Sequence, residues 1–491
     1  MNGSDFVKAL GEEVLDTHGN TLTEIAGATA DSRQVRPGML FCAYKGENCD
    51  GAEFVPQALQ RGASAVVWER EETLPVLTIR VKDALRAQGI IAECVAGVPA
   101  SKMDIVGVTG TNGKTTTTWL LQEMFREAQR PCGLIGTVKY DVGAGVELPG
   151  DRTTPTAFDL QELFSQCVSN GLRNLVMEVS SHALEQRRMG TTQCKVAVFT
   201  NLTEDHLDYH LTMENYYQAK KLLFTRHLQA GGVAVLNADD KWCARLATEL
   251  PDDRKAMLFS LENRKDAHVQ VSNLQMRADG SEFELVFRNG EQWPLRTPLP
   301  GEYNVRNAVC AALAAYAMGV PKEAVSATLA RCQGAPGRMQ RVDLPGAEFS
   351  VFVDYAHTDD ALRNVLGMLR SLCGGRLFVV FGCGGNRDRR KRPLMAHAAE
   401  EFADVIIVTT DNPRREEPED IIKEIATGFS ADARYECICD RREAIGYALK
   451  AARSGDVVLI AGKGHEDYQE ICGVKHHFSD TETAEELWRL K

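Results

Sequence analysis

The sequence lacks several features that would have set its class at once. No run of 18 apolar residues occurs, so no membrane-spanning helix is expected. The opening stretch MNGSDFVKALGEE has no apolar signal core. The 14 cysteines include no C-x-x-C pair, and Cys437 and Cys439 form only a C-x-C. That argues against a structural zinc site or a disulfide framework, and points to free thiols in a reducing, cytoplasmic compartment. Positive charge is in deficit: 56 Lys and Arg against 68 Asp and Glu give a net charge of −12. Such an acidic chain is a poor general host for nucleic acid, which needs a basic footprint. Anionic ligands would have to be held by local cations, backbone amides or metal ions. Neither a repeat of 20–50 residues nor a low-complexity tract is present.

What remains is globular in composition, 44% hydrophobic and 25% charged. At roughly 150 residues per domain, 491 residues suggest about three domains. In the first ~100 residues, 54–62 reads as a helix and 63–68 as a strand. Asp31-Ser32-Arg33 precedes Pro37-Gly38 and reads as a loop. The rhythm changes near residue 100. Strands are expected at 105–109, 175–179, 196–202 and 233–237, with a helix over 114–128; 269–287 alternates and suggests an antiparallel excursion. After Gly334-Ala335-Pro336-Gly337, read as a hinge, strands recur at 350–354, 377–381, 405–410 and 457–461. Helices at 360–372 and 393–402 lie between them. The expected fold is α/β in three domains: a central parallel sheet like that of P-loop ATPases and a C-terminal Rossmann-like domain.

Gly110-Thr111-Asn112-Gly113-Lys114-Thr115-Thr116 lies between a strand and a helix. Glycines let backbone N–H groups face phosphate, the helix N-terminus adds its dipole, and lysine can reach the β and γ phosphates. The Thr115 hydroxyl can ligate Mg²⁺. The strict P-loop pattern fails, because Val108 stands where the first glycine belongs. Two further tracts follow strands: Glu178-Val179-Ser180-Ser181-His182, and Asn201-Leu202-Thr203-Glu204-Asp205-His206-Leu207-Asp208. Their carboxylate, hydroxyl and imidazole groups could share a cation, although imidazole is an uncommon partner for Mg²⁺.

These tracts, with Gly301-Glu302-Tyr303-Asn304 and Asn307, Gly337-Arg338-Met339 and Asp354-Tyr355-Ala356-His357, resemble the Mur ligase family across residues 31 to 466. The resemblance implies ATP-dependent amide-bond formation on a UDP-linked muramoyl dipeptide, through an acyl phosphate. It assigns Lys114, His206 and Lys220 to catalysis, Thr115, Glu178 and His206 to Mg²⁺, and Gly110–Thr116, Asn304, Asn307, Arg338 and Asp354 to ATP. Asn304 and Asn307 are three apart, on one helix face. His357 would border the nucleotide site. Lys220 matches a lysine that the family often carbamylates with CO₂. That chemistry needs a neutral amine, hence a depressed pKa or a shielded site; the adjacent Lys221 leaves two registers open. Ser32 matches the uridine end, with Ala30, Glu47, Asn48 and Cys49 beside it. Thr153, Thr154, Ser180, Gln186 and Arg188 match the muramoyl-peptide channel, and Arg152 stands where a relative has Asn.

Within the family, Asp411-Asn412-Pro413-Arg414 resembles the signature for adding meso-diaminopimelate. That amino acid carries a second carboxylate that lysine lacks, and Arg414 offers a planar fork for it. The basic tract 384–392 reads by composition as a solvated loop; by resemblance, its Arg387 meets the same amino acid's carboxylate. Gly462 and Glu466 match the positions that hold its distal amine end. Alternatives are the lysine-adding relative, folylpolyglutamate synthase, and a nucleotide-driven switch that ligates nothing. The expected organisation is 1–100 for the UDP end, 101–337 for ATP and 338–491 for the amino acid, in a monomer.

Overall fold

The computed structural model describes residues 1–46, 49–277 and 280–490. The chain folds as two compact units. One comprises Met1–Ser272, Leu285–Trp293 and Arg306–Thr328; the other comprises Asn273–Glu284, Pro294–Val305 and Leu329–Lys491.

The first unit holds two sheets. Near the N-terminus, five strands order as Val14–His18, Leu77–Val81, Ala65–Trp68, Met39–Cys42 and Gly27–Thr29. All pair parallel except the first. The second sheet contains the parallel series Lys255–Ser260, Leu228–Asn237, Cys194–Phe199, Asp104–Thr109, Asn174–Glu178 and Cys132–Ile135. Asp104–Thr109 lies inside this series, and its Ile105, Val106 and Val108 are fully buried. A strand buried on both faces reads as an unbroken apolar run, as this one does. Its C-terminal end therefore opens at a fixed place between two neighbours, where α/β folds collect ligand loops.

The expected strand at 196–202 stops at Phe199. Thr200 and Asn201 leave the ladder to bond the loop beside Lys114. The alternating tract forms strands Val269–Arg277 and Gly280–Phe287, and the former enters parallel to Lys255–Ser260. The two strands are consecutive in the chain and neighbours in the sheet, as the expected antiparallel excursion requires, and only the entry against Lys255–Ser260 is parallel.

In the second unit, six strands order as Gln340–Val342, Ser350–Asp354, Val457–Ala461, Leu377–Phe381, Val405–Val408 and Tyr435–Cys437. Only Gln340–Val342 is antiparallel. Helices Asp359–Leu372 and Lys391–Phe402 pack their apolar residues on one face, including Leu362, Leu366, Met395 and Ala399. Helix Arg441–Ala451 covers the other with Ala444, Ile445 and Ala448. Gly337, in the tract read as a hinge, is tightly packed: a Cβ there would lie 2.0 Å from the His465 nitrogen. Arg392, expected in a solvated basic loop, belongs to helix Lys391–Phe402 and is fully buried, paired with Glu416 and Glu424. Local composition could not show the two acids that the fold brings to it.

None of the 14 cysteines is in a disulfide, and seven are buried: Cys42, Cys132, Cys167, Cys194, Cys243, Cys310 and Cys383. No described helix is long and apolar enough to cross a membrane.

Candidate active site

In the first unit, the strand Asp104–Thr109 ends in a turn that only glycine fits at two points. Gly110 has φ of 148°, and a Cβ there would lie 1.9 Å from the Thr200 hydroxyl. Gly113 has φ of 86°, and its Cβ would lie 2.1 Å from Asn307 Oδ1. The turn is pinned from the neighbouring strand end. Thr200 donates to the Asn112 carbonyl at 2.6 Å, and Asn201 Oδ1 accepts from the Asn112 N–H at 3.0 Å. Lys114 opens the helix Lys114–Glu127, and its ammonium donates to the Gly110 and Thr111 carbonyls at 2.9 Å each.

At the second residue of that helix, Thr115 donates to Glu178 Oε2 at 3.1 Å. Glu178 is buried, and Thr137 donates to both of its oxygens, from the backbone at 2.8 Å and the hydroxyl at 3.2 Å. His206 has a left-handed φ of 53° and a half-exposed ring. Its ring lies 5.0 Å from that of His182 and 6.1 Å from that of Tyr216. Its pKa is lowered chiefly by desolvation; Asp205 opposes this, and the Lys114 and Lys220 charges add to it.

Lys220 lies on helix Met213–Thr225 and is 1% exposed, whereas Lys221 turns outward to Glu249 at 2.8 Å. The Lys220 amine donates to the Gly110 carbonyl at 2.9 Å and sits 4.6 Å from the Tyr216 ring centre. Burial drives its pKa well below the ordinary lysine value, and the Lys114 charge adds to this. The two registers left open by the sequence thus have distinct surroundings: Lys220 is enclosed beside the phosphate-type loop, and Lys221 is a surface ion pair.

Thr154, Ser180, Gln186 and Arg188 form one network. Arg188 donates to the Thr154 carbonyl at 2.8 Å and to Gln186 Oε1 at 2.7 Å; the Ser180 N–H donates to the Thr154 hydroxyl at 3.0 Å. Thr153 joins through Thr137 at 3.0 Å. The Arg188 pKa is lowered, first by burial and then by the charge of Arg152. Ser32 donates to Gln57 at 2.6 Å, with Ala30 half-buried and Cys49 exposed nearby in sequence. Glu47 and Asn48 lie outside the described residues.

In the second unit, Asp354 ends its strand buried, accepting from the Met339 and Ala356 amides at 2.7 and 2.8 Å. The Arg338 guanidinium stacks 4.8 Å from the Tyr355 ring centre. The His357 ring also lies against Tyr355, with centroids 4.6 Å apart. Asn304 donates to the Pro300 carbonyl at 2.9 Å; it and Asn307 share helix Glu302–Ala317. Asp411, Asn412 and Pro413 are buried just past strand Val405–Val408. Asn412 donates to Glu466 Oε2 at 2.8 Å. Asp411 Oδ2 is buried with no partner, facing Gly462, whose Cβ would come within 2.7 Å of it. Arg414 has a left-handed φ of 53° and donates to the Gly385 carbonyl at 2.8 Å and Glu470 at 3.2 Å. Arg387 is exposed.

Residues 24–104, 108–315 and 337–464 match, in turn, the Mur ligase family catalytic domain, the Mur ligase middle domain and the Mur ligase glutamate ligase domain. The chain is 43% identical over 477 residues to the UDP-N-acetylmuramoyl-L-alanyl-D-glutamate–2,6-diaminopimelate ligase of Gloeobacter violaceus, covering 96% of this chain and 95% of that one. It is 41% identical over 466 residues to the like-named protein of Aquifex aeolicus, covering 95% and 94%. A solved structure bearing the same name aligns with a TM-score of 0.72 at 35% identity, over 100% of this chain and 99% of that one. The chain belongs to the Mur ligase family.

For this Mur ligase, the donor set can be tested against the implied cation. Among the described residues, no group of three or more His, Cys, Asp or Glu is arranged around a common point. Mg²⁺ needs no such cage: one or two carboxylates, substrate phosphates and retained waters complete its octahedron. The Thr115 hydroxyl and Glu178 carboxylate, together beside the Lys114 loop, fit that requirement. The imidazole of His206 is the weaker candidate.

Sequence reasoning missed Thr137, Lys463 and Glu470. Lys463 is fully buried and donates to Asn412 at 3.2 Å and Glu466 at 3.3 Å. It stands within the recognised 461–466 tract and could have been found there. Thr137 and Glu470 carry no local signal, because only the fold brings them to Glu178 and Arg414.

Proposed function

We propose that this Mur ligase adds meso-diaminopimelate to UDP-N-acetylmuramoyl-L-alanyl-D-glutamate, with ATP cleaved to ADP and phosphate. The peptide carboxylate attacks the γ-phosphate and ADP leaves, giving an acyl phosphate. The amine then attacks the acyl carbon, loses a proton, and expels inorganic phosphate. Residues 1–100 serve the UDP end, 101–337 the nucleotide, and 338–491 the amino acid.

Two anions must meet in the first step, so the enzyme has to offset charge repulsion. Lys114 supports this: its ammonium rests on loop carbonyls, within reach of a phosphate seated on the same turn. Gly110 to Thr116 present backbone N–H groups, and Asn307 packs against Gly113. Asn304, Arg338 and Asp354 also serve the nucleotide, as the family resemblance implies. Thr115 and Glu178, with His206 as a further ligand, hold Mg²⁺, which when bound neutralises phosphate charge. Lys220 is enclosed, and burial drives its pKa down toward the neutral, nucleophilic amine that CO₂ requires; its carbamate supplies an anion beside the cation site.

Arg188 and Arg152, with Thr153, Thr154, Ser180 and Gln186, receive the muramoyl peptide; Ser32 and Ala30 receive the uridine end. Arg414 and Arg387 meet the second carboxylate of the amino acid, and Asp411, Asn412, Gly462 and Glu466 its ammonium. The observation that carries the reading is the Asp411–Arg414 loop. It joins a guanidinium to buried carboxylates, which suits a zwitterion with an additional carboxylate.

The test is phosphate release from ATP in the presence of the UDP-linked dipeptide and a panel of amines. Turnover with meso-diaminopimelate and little with L-lysine is expected; equal turnover refutes the specificity, and amine-independent hydrolysis refutes ligation. Arg414→Ala should lose about 10–100-fold in kcat/KM for meso-diaminopimelate, since a charged hydrogen-bond partner is removed.

A further inference from the structure

Strands Tyr468–Ile471 and Val474–His477 form a two-stranded antiparallel hairpin outside the main sheet. Most of it faces solvent, yet its first strand is bonded along the whole Asp411–Arg414 loop. Gln469 donates to the Asp411 carbonyl at 2.8 Å, and the Glu470 N–H donates to Asn412 Oδ1 at 2.9 Å. The Arg414 N–H donates to the Glu470 carbonyl at 2.9 Å, and the Cys472 N–H donates to the Arg414 carbonyl at 2.6 Å. Arg414 and Ile471 thereby make an isolated parallel bridge. These bonds hold Arg414 in the left-handed conformation that residues other than glycine seldom take.

The side chain is fixed separately. Glu470 Oε2 accepts from Arg414 Nε at 3.2 Å, while the Gly385 carbonyl accepts from Nη1 at 2.8 Å. One edge of the guanidinium faces Glu470, and among the described residues Nη2 meets no acceptor. A free arginine would sample many rotamers and lose that freedom on binding a carboxylate. A guanidinium already tethered at Nε and Nη1 loses less.

We propose that Glu470 is a positioning residue for amino-acid selection: through Arg414 it fixes the direction from which the second carboxylate of the incoming amino acid is received. This rests on the reading that Arg414 binds that carboxylate. Two effects of Glu470 oppose each other, and they can be separated. As an acceptor it orients Arg414; as an anion it repels the incoming carboxylate. Glu470→Gln keeps an acceptor and removes the charge, whereas Glu470→Ala removes both.

The experiment measures steady-state constants of the full-length enzyme for all three substrates, with thermal unfolding midpoints as a check on folding. Glu470→Ala should raise KM for meso-diaminopimelate about tenfold, the scale of one charge-assisted hydrogen bond, leaving kcat and the other two KM values within about twofold. Glu470→Gln should restore KM to within about threefold of the parent. The weak use of L-lysine should not change, because lysine has no second carboxylate to offer Arg414. An unchanged KM in Glu470→Ala overturns the proposal. So does a fall in KM in both variants, which would make charge repulsion the main effect, or a parallel rise for all three substrates. If the parent enzyme prefers a different amine, the proposed substrate is wrong. The positioning role is then judged on that amine: an unchanged KM in Glu470→Ala still overturns it.

Discussion

Lys220 shows how surroundings alone can alter a side chain's chemistry. Enclosed beside Lys114, its folded-state pKa lies well below the value of an exposed lysine. The unfolded chain therefore binds a proton that the folded chain gives up, and folding gains stability as pH rises toward the unfolded lysine value, near 10.4. Lys220→Met removes that dependence. The parent's unfolding midpoint, relative to the variant's, should rise as pH climbs toward the unfolded lysine value, while the variant loses ligation and added bicarbonate does not restore it. An equal pH response of the two midpoints would show that Lys220 folds charged. At Gly113, alanine brings both a disfavoured φ and a Cβ 2.1 Å from Asn307. Gly113→Ala should cost about 1–3 kcal/mol of local strain and raise KM for ATP, measured at saturating peptide and amine. Gly113 was legible in the sequence, because a phosphate-type turn must be written locally, in glycines followed by lysine and threonine; Lys220 came only from the family resemblance, and burial separated it from Lys221. Thr137 and Glu470 were not legible, since an acceptor or donor supplied from a distant element leaves no spacing to read.

At the level of the element, the buried pair of Arg441 and Asp480 joins the first turns of helices Arg441–Ala451 and Asp480–Arg489. Its two hydrogen bonds are 2.7 Å each, both side chains are fully buried, and Arg441 also donates to the Ala461 carbonyl at 2.9 Å. That carbonyl ends the strand that leads to Gly462. Removing one partner leaves a buried charge uncompensated, so Asp480→Asn should cost about 3–5 kcal/mol and lower the unfolding midpoint. The double variant Arg441→Leu with Asp480→Leu should lose less than the sum of the singles. The sequence announced the strands on either side of this pair, because Val457–Ala461 and Leu377–Phe381 are unbroken apolar runs. It did not announce the 468–477 hairpin. Tyr-Gln-Glu-Ile buries no apolar face, and its stability comes from backbone and side-chain bonds to a loop some 55 residues earlier.

For the whole molecule, one buried carboxylate is among the contacts between the two sheets of the first unit. Glu93 is 4% exposed, accepts from the Thr191 N–H at 2.7 Å and its hydroxyl at 2.6 Å, and is reached by Thr192 at 3.3 Å. Glu93→Ala should strand these donors, cost about 1–3 kcal/mol, and raise KM for the UDP-linked substrate more than for ATP. The acidic net charge excluded a nucleic-acid surface, but it was silent on the few cations that matter locally, because a sum over 491 residues averages them away. Free thiols are the other property of the entire chain. Burial pushes Cys167 and Cys383, one in each unit, up to about 12, so neither forms a thiolate while its surroundings stay closed. Each is thereby a built-in clock. Its rate of alkylation counts how often that part of the fold opens, and a timed pulse of reagent would record the breathing of the two units separately, with no label added to the protein.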